Sequence, residues 1–105
     1  MITEYLRYQL QNQSACAEFE QAYLQAMAIL RRSPHCLGAE LSQCLDAPTD
    51  YIVRITWDSV AGHLEGFRKS ADFMPFLALV RPYIPSMPEM RHYQLKMASE
   101  QINPA

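Results

Sequence analysis

The sequence predicts an α+β domain of the ferredoxin-like type, a βαββαβ chain folded as a four-stranded antiparallel sheet with helices on one face. Three observations predict it. Four runs alternate apolar and polar residues with period two. Two intervening stretches carry apolar residues at steps of three and four. Proline- and serine-containing turns separate them. The 105 residues, half of them apolar and 19% charged, are enough for a single domain over residues 1–105, with a structured core over about 2–97.

The first strand is "ITEYLRYQL" (2–10), with Leu6, Tyr8 and Leu10 on one face and Tyr5, Arg7 and Gln9 on the other. From Ser14, the expected N-cap, the period lengthens, and Cys16, Phe19, Tyr23, Met27 and Leu30 form one stripe of a helix of about four turns. Arg31 and Arg32 suit its negative end, and Ser33-Pro34 stops it. "CLGAELSQCL" (36–45) alternates with Leu37, Ala39, Leu41 and Leu45 inward. "DAPTD" turns the chain into "YIVRITW", where Tyr51, Val53, Ile55 and Trp57 share a face, and the two runs read as a hairpin.

A short helix after Asp58 or Ser59 aligns Val60, His63, Leu64 and Phe67. Pro75 is tolerable only in a first turn, so a second helix begins near Phe73 and points Phe73, Phe76, Leu77 and Val80 inward. Pro82, Pro85 and Pro88 end it. "EMRHYQLKM" (89–97) closes the chain as a strand, with Tyr93, Leu95 and Met97 toward the helices and His92 on the opposite face. That outer face then presents Tyr5, Arg7, Glu40, Arg54 and His92, too aromatic for plain solvent and too charged for a core. A second sheet packed there in a homodimer accounts for it.

A net charge of −2 with no basic block excludes the electrostatic footprint of a nucleic-acid or anionic-membrane binder. No apolar run is long enough to span a bilayer, and "MITEYLRYQL" is no secretory signal, so the expected location is cytoplasmic. Cys16, Cys36 and Cys44 lack any metal or redox spacing and read as reduced packing residues; no metal is expected.

The run "YIVRITWDSVAGHLEGFRKSADFMPFLALVRPYI", followed by "EMRHY" and preceded by "YLRY" and "ELSQC", resembles the antibiotic biosynthesis monooxygenase domain of the dimeric α/β barrel superfamily. It is most similar to the version also found fused to truncated haemoglobins. The most specific features are the tryptophan ending the third strand and Ser70-x-x-Phe73-x-x-Phe76. The resemblance implies a monomer that dimerises through its sheets, with a pocket between sheet and helices. Several relatives oxidise quinols or polyketide aromatics there with dioxygen, using no metal or flavin cofactor. Others in the superfamily degrade haem with an Asn, Trp and His set, and some have no assigned activity. Two departures stand out. Commoner members carry histidine three residues before the motif serine, where this chain has Phe67, and the one early asparagine, Asn12, falls past the first strand.

Dioxygen reacts slowly with neutral phenols and readily with their anions, so a cofactor-free oxygenase must deprotonate its substrate in a dry pocket. Histidine is the natural base near neutral pH. His63, on the apolar stripe, is the expected catalytic base; His92 is assigned to the dimer interface, and His35 to an exposed turn. Trp57, Phe67, Phe73 and Phe76 are the expected wall for a flat quinol-like or polycyclic phenol, with Tyr8 as a polar anchor. Gly62 and Gly66 leave a flat strip for a planar ligand or for close packing, and Arg81, Tyr83 and Arg91 flank the proline segment as rim or surface. A non-catalytic binding or stress-associated module is the alternative, and haem binding a third reading. An open aromatic pocket beside His63 favours the enzyme; a pocket plugged by Phe67 and Met74 favours the module.

Overall fold

β1 (Ile2–Gln9), β2 (Cys36–Gln43), β3 (Asp50–Trp57) and β4 (Glu89–Tyr93) form one antiparallel sheet in the order β2-β3-β1-β4. The computed structural model describes residues 1–99; the end of the expected domain, residues 100–105, lies outside these. α1 (Cys16–Leu30) and α2 (Phe73–Val80) pack on one face, completing the ferredoxin-like arrangement. Antiparallel pairing places partnered residues on the same side. The registers Leu6↔Val53 and Tyr8↔Tyr51 therefore gather the inward positions of the two central strands into one core with Phe19, Tyr23 and Leu30 of α1.

Several expectations are corrected. α1 starts at Cys16 after a 3-10 turn, Gln13–Ala15. Ser14 does not cap it, because its hydroxyl is bonded to the Asn12 side chain. In β2 a bulge between Cys36 and Gly38 gives Cys36 the inward register opposite Trp57 and turns Leu37 to solvent. Ala39 and Leu41 keep their inward places, and Leu45 lies exposed in the turn. Tyr83 packs on Phe19 at 5.1 Å between ring centres. The three cysteines are free thiols, buried at Cys16, half-buried at Cys36 and exposed at Cys44.

The largest correction concerns β4. It ends at Tyr93, and its registers Glu4↔His92 and Leu6↔Met90 put His92 and Met90 on the helix side. Tyr93 is on the outer face, edge-on to Tyr5 at 5.2 Å, while Leu95 and Met97 are exposed beyond the strand. His92 and Tyr93 do point opposite ways, as alternation demands, but the faces are exchanged. Both faces of "EMRHY" mix apolar and polar residues, so hydrophobicity alone does not choose between them.

Candidate active site

A cavity of about 260 Å³ lies between the sheet and the α2 side of the helical layer. Tyr8, Trp57, His63, Phe67, Phe73 and Phe76, the residues expected to form the site, all line it. Phe67 is the hinge of the aromatic wall, with ring centres 5.4 Å from Trp57, 5.8 Å from Phe73 and 5.3 Å from Phe76. Met74 is exposed, so it does not plug the space. Arg81, Tyr83 and Arg91 do not line it; Arg68, Ile84, Met87 and Met90 take the positions expected of them.

The segment carrying His63 is a π-helical turn, Gly62–Phe67, rather than an α-helix. Its widened ring is closed by the Arg68 amide donating to the His63 carbonyl at 3.0 Å, a five-residue step. The Ser59 hydroxyl accepts from the Gly62 amide at 2.9 Å and fixes the start. A spacing of four residues is close to one π turn, so His63 and Phe67 stack along one line toward the sheet. Val60, expected on the same stripe, is exposed. The His63 ring lies flat on Trp57, 4.5 Å between centres and 12° between planes.

The strip left by Gly62 and Gly66 is filled by the chain itself. A Cβ at Gly66 would collide with the His35 ring, and one at Gly62 with the Asp58 carboxylate and with His35 Nδ1. His35 Nδ1 and Asp58 Oδ2 are 2.8 Å apart, and the Asp58 amide donates to the His35 carbonyl at 2.9 Å. The glycines therefore serve close packing of a half-buried histidine and present no strip to a planar ligand.

The polar corner of the cavity is built by three residues. Glu4, on the same inward face as Leu6 and Tyr8, is 3% exposed, and its Oε1 accepts from Trp57 Nε1–H at 2.9 Å. His63, 4% exposed, turns Nε2 toward the same oxygen at 3.6 Å and Nδ1 toward His92 Nε2 at 2.8 Å. Burial, seconded by the charge of Arg68 and by His92, pushes the His63 pKa down to about 4, so its imidazole is neutral at physiological pH. Burial pushes Glu4 the opposite way, upward from the usual carboxylate range, against the lowering effects of the Trp57 hydrogen bond and of Arg68. A second polar spot is the Tyr8–Tyr23 hydroxyl pair, 2.5 Å apart. Burial raises Tyr8 to about 12 and Tyr23 further still, so both phenols stay protonated.

Glu4, His63 and His92 bring ligand-type atoms within 4.8 Å of one another, a grouping compact enough to gather a divalent ion. The 2.8 Å between the imidazole nitrogens is nevertheless a hydrogen bond. Two ligands at ~2.05 Å from a tetrahedral ion would stand roughly 3.3 Å apart. His63 and the half-buried His92 thus form a hydrogen-bonded imidazole pair, with the Glu4 carboxylate 3.6 Å from the far nitrogen of His63. Glu4 and Tyr23 were not among the residues expected here. Tyr23 was read only as part of the helix stripe, and for Glu4 the signal was its parity with Leu6 and Tyr8.

The antibiotic biosynthesis monooxygenase family pattern matches residues 1–79. The chain belongs to that family. This member is 30% identical over 77 residues to the uncharacterized protein YczJ of Bacillus subtilis, a stretch that covers 73% of this chain and 81% of that one. A Bordetella bronchiseptica protein assigned to the antibiotic biosynthesis monooxygenases superposes with a TM-score of 0.79 at 30% identity, over 91% of this chain and 97% of the other. SnoaB, a cofactor-independent oxygenase from Streptomyces nogalater, shares the fold with a TM-score of 0.75 at 18% identity, over 95% and 97% of the two chains. Asn12 is exposed beyond β1, bonded to Ser14 and not among the residues lining the cavity.

Proposed function

We propose that this family member is a monooxygenase that oxidises a flat, quinol-like or polycyclic phenol with dioxygen and without a cofactor, the proton being handled at the corner built around His63. The observation that carries the reading is an unplugged aromatic cavity ending on buried ionisable groups. The chemistry balances without an external reductant. Loss of the phenolic proton raises electron density at the ortho and para carbons, and one of these, bearing a hydrogen, bonds to one oxygen of dioxygen. The resulting hydroperoxide loses its distal oxygen as water, leaving a quinone; the substrate supplies all four electrons and both hydrogens of that water. Trp57 and the phenylalanines hold the ring and exclude bulk water, and the Tyr8–Tyr23 pair donates to a substrate oxygen.

Oxygen uptake is expected with some member of a panel of naphthols, quinols and anthrone-like phenols, and to fall at least tenfold in His63→Ala and His63→Gln. Equal rates in all three proteins would remove this corner from the reaction. Absence of uptake on every substrate would leave the non-catalytic module.

The outer sheet face supports pairing of two copies. Tyr5 and Tyr93 pack together there, Ile52 is exposed, and the Arg54–Glu40 and Arg7–Glu89 ion pairs border them. Sedimentation at low micromolar concentration is expected to show a homodimer; a monomer would contradict this reading. Among the described residues no helix is long and apolar enough to cross a membrane.

A further inference from the structure

We infer that Glu4 is the catalytic base of this site and that His63 and His92 are its positioning partners. The inference rests on the phenol-oxidising reading above and changes which residue takes the proton. Both ring nitrogens of His63 face protein groups, Nδ1 toward His92 at 2.8 Å and Nε2 toward Glu4 at 3.6 Å. Nδ1 is engaged by His92, and a phenol approaching Nε2 meets the Glu4 carboxylate beside it. Glu4 is differently placed. Its Oε1 is engaged by Trp57 and faces His63, while Oε2 has no hydrogen-bond partner among the described residues. No buried side-chain oxygen or nitrogen among those residues is both sealed and unpartnered, so Oε2 opens on the cavity that Glu4 lines.

The groups facing Glu4 explain how it can cycle. They are Trp57 from β3, His63 from the π turn, His92 paired with it across β4, Tyr8 further along β1, and the Arg68 guanidinium at the cavity wall. A carboxylate in this apolar wall holds a proton more readily than one in water, which suits it to accept one from a phenol. In the acceptance step the substrate O–H bond breaks, a Glu4 Oε2–H bond forms, and no electrons change oxidation state. The imidazoles have an arrangement matched to the ionised carboxylate. With Glu4 ionised, His63 carries its proton on Nε2, toward the carboxylate, and Nδ1 accepts from His92 Nε2–H. The proton taken by Glu4 is returned at the end of the cycle to the peroxide oxygen that leaves as water, so the carboxylate is restored without a proton crossing the imidazoles.

Ionisation of a bound probe tests this apart from turnover. A nitronaphthol whose anion absorbs visible light is titrated into the intact protein. Its apparent pKa is expected to fall on binding to the wild type, and this drop is lost in Glu4→Gln, whose amide oxygen still accepts from Trp57. Oxygen uptake in Glu4→Gln falls at least tenfold with KM little changed, and recovers as pH rises through the free substrate's own pKa. His92→Phe, at a half-buried strand position, keeps the probe's ionisation but changes the pH profile of turnover, and the 15N shifts of His63 lose their dependence on the charge of Glu4. Should Glu4→Gln not fold, His92→Phe and the wild-type 15N titration still decide. A probe ionised equally by wild type and Glu4→Gln but not by His63→Gln would return the role to His63. Uptake abolished by a chelator and restored by a divalent ion would make the trio an ion site and overturn the assignment of Glu4 as base. Probe ionisation without oxygen uptake would sustain Glu4 as base while refuting the oxygenase reading.

Discussion

Phe67→Ala is expected to lower the free energy of unfolding by about 3–5 kcal/mol, the range for removing a fully buried aromatic ring. Phe67 is 1% exposed and touches three other aromatic rings, so its loss unpacks Trp57 from Phe73 and Phe76 at once. The surroundings have little freedom to close the gap. Trp57 is tied to Glu4 by its indole N–H, Phe73 and Phe76 are carried on α2, and the π turn is closed by the Arg68 amide. The new void therefore joins the existing cavity. In a domain whose whole stability is of order 5–15 kcal/mol, this is a large fraction. Urea unfolding should show a lower midpoint with an unchanged slope. Phe67→Leu, which keeps most of the volume, should cost less than about 1.5 kcal/mol. A loss under about 1 kcal/mol for the alanine variant would mean that Phe67 is not a structural wall.

The same residue illustrates what alternation and helical spacing reveal. A step of four brings His63 and Phe67 onto one face in either an α-helix or a π-helix, so both were legible as inward. Val60, three residues before His63 and ahead of the π turn, is exposed. In β3, Tyr51, Val53, Ile55 and Trp57 leave only polar or half-exposed residues opposite them, and the inward face is unambiguous. β4 offers no such contrast, and its face is set by pairing with β1, through Glu4↔His92. Glu4 stayed hidden because charge argues for solvent while position argues for the core. Only the indole N–H and imidazole that meet it in space reconcile the two. Thus the aromatic wall was readable residue by residue, and the ionisable corner, assembled from β1, β3, the π turn and β4, was not.

That corner should make stability depend on pH. Between pH 6.5 and 4 the folded protein is expected to lose roughly 3 kcal/mol on account of His63. The unfolded chain binds a proton at this imidazole near pH 6.5, whereas the folded one resists until about 4. Over that window the unfolded state holds more protons, so stability rises with pH, is complete above 6.5 and declines on acidification. Glu4 acts with the opposite sign: its raised pKa means the folded state keeps the carboxyl proton to higher pH than the unfolded chain. Its contribution is full below the ordinary carboxylate pKa of 4.5 and is lost as pH rises through the folded value. The two slopes oppose each other in the wild type, and single variants separate them. Urea midpoints measured from pH 4 to 7 should steepen toward acid instability in Glu4→Gln, which removes the opposing term, and flatten in His63→Leu, which removes the titrating imidazole. Arg68 and His92 face the same corner, so salt should weaken the Arg68 part of the effect and leave the burial part. An identical pH slope in wild type and His63→Leu would show that the imidazole is hydrated in solution, and with it the water-excluding corner that phenol oxidation requires would be lost.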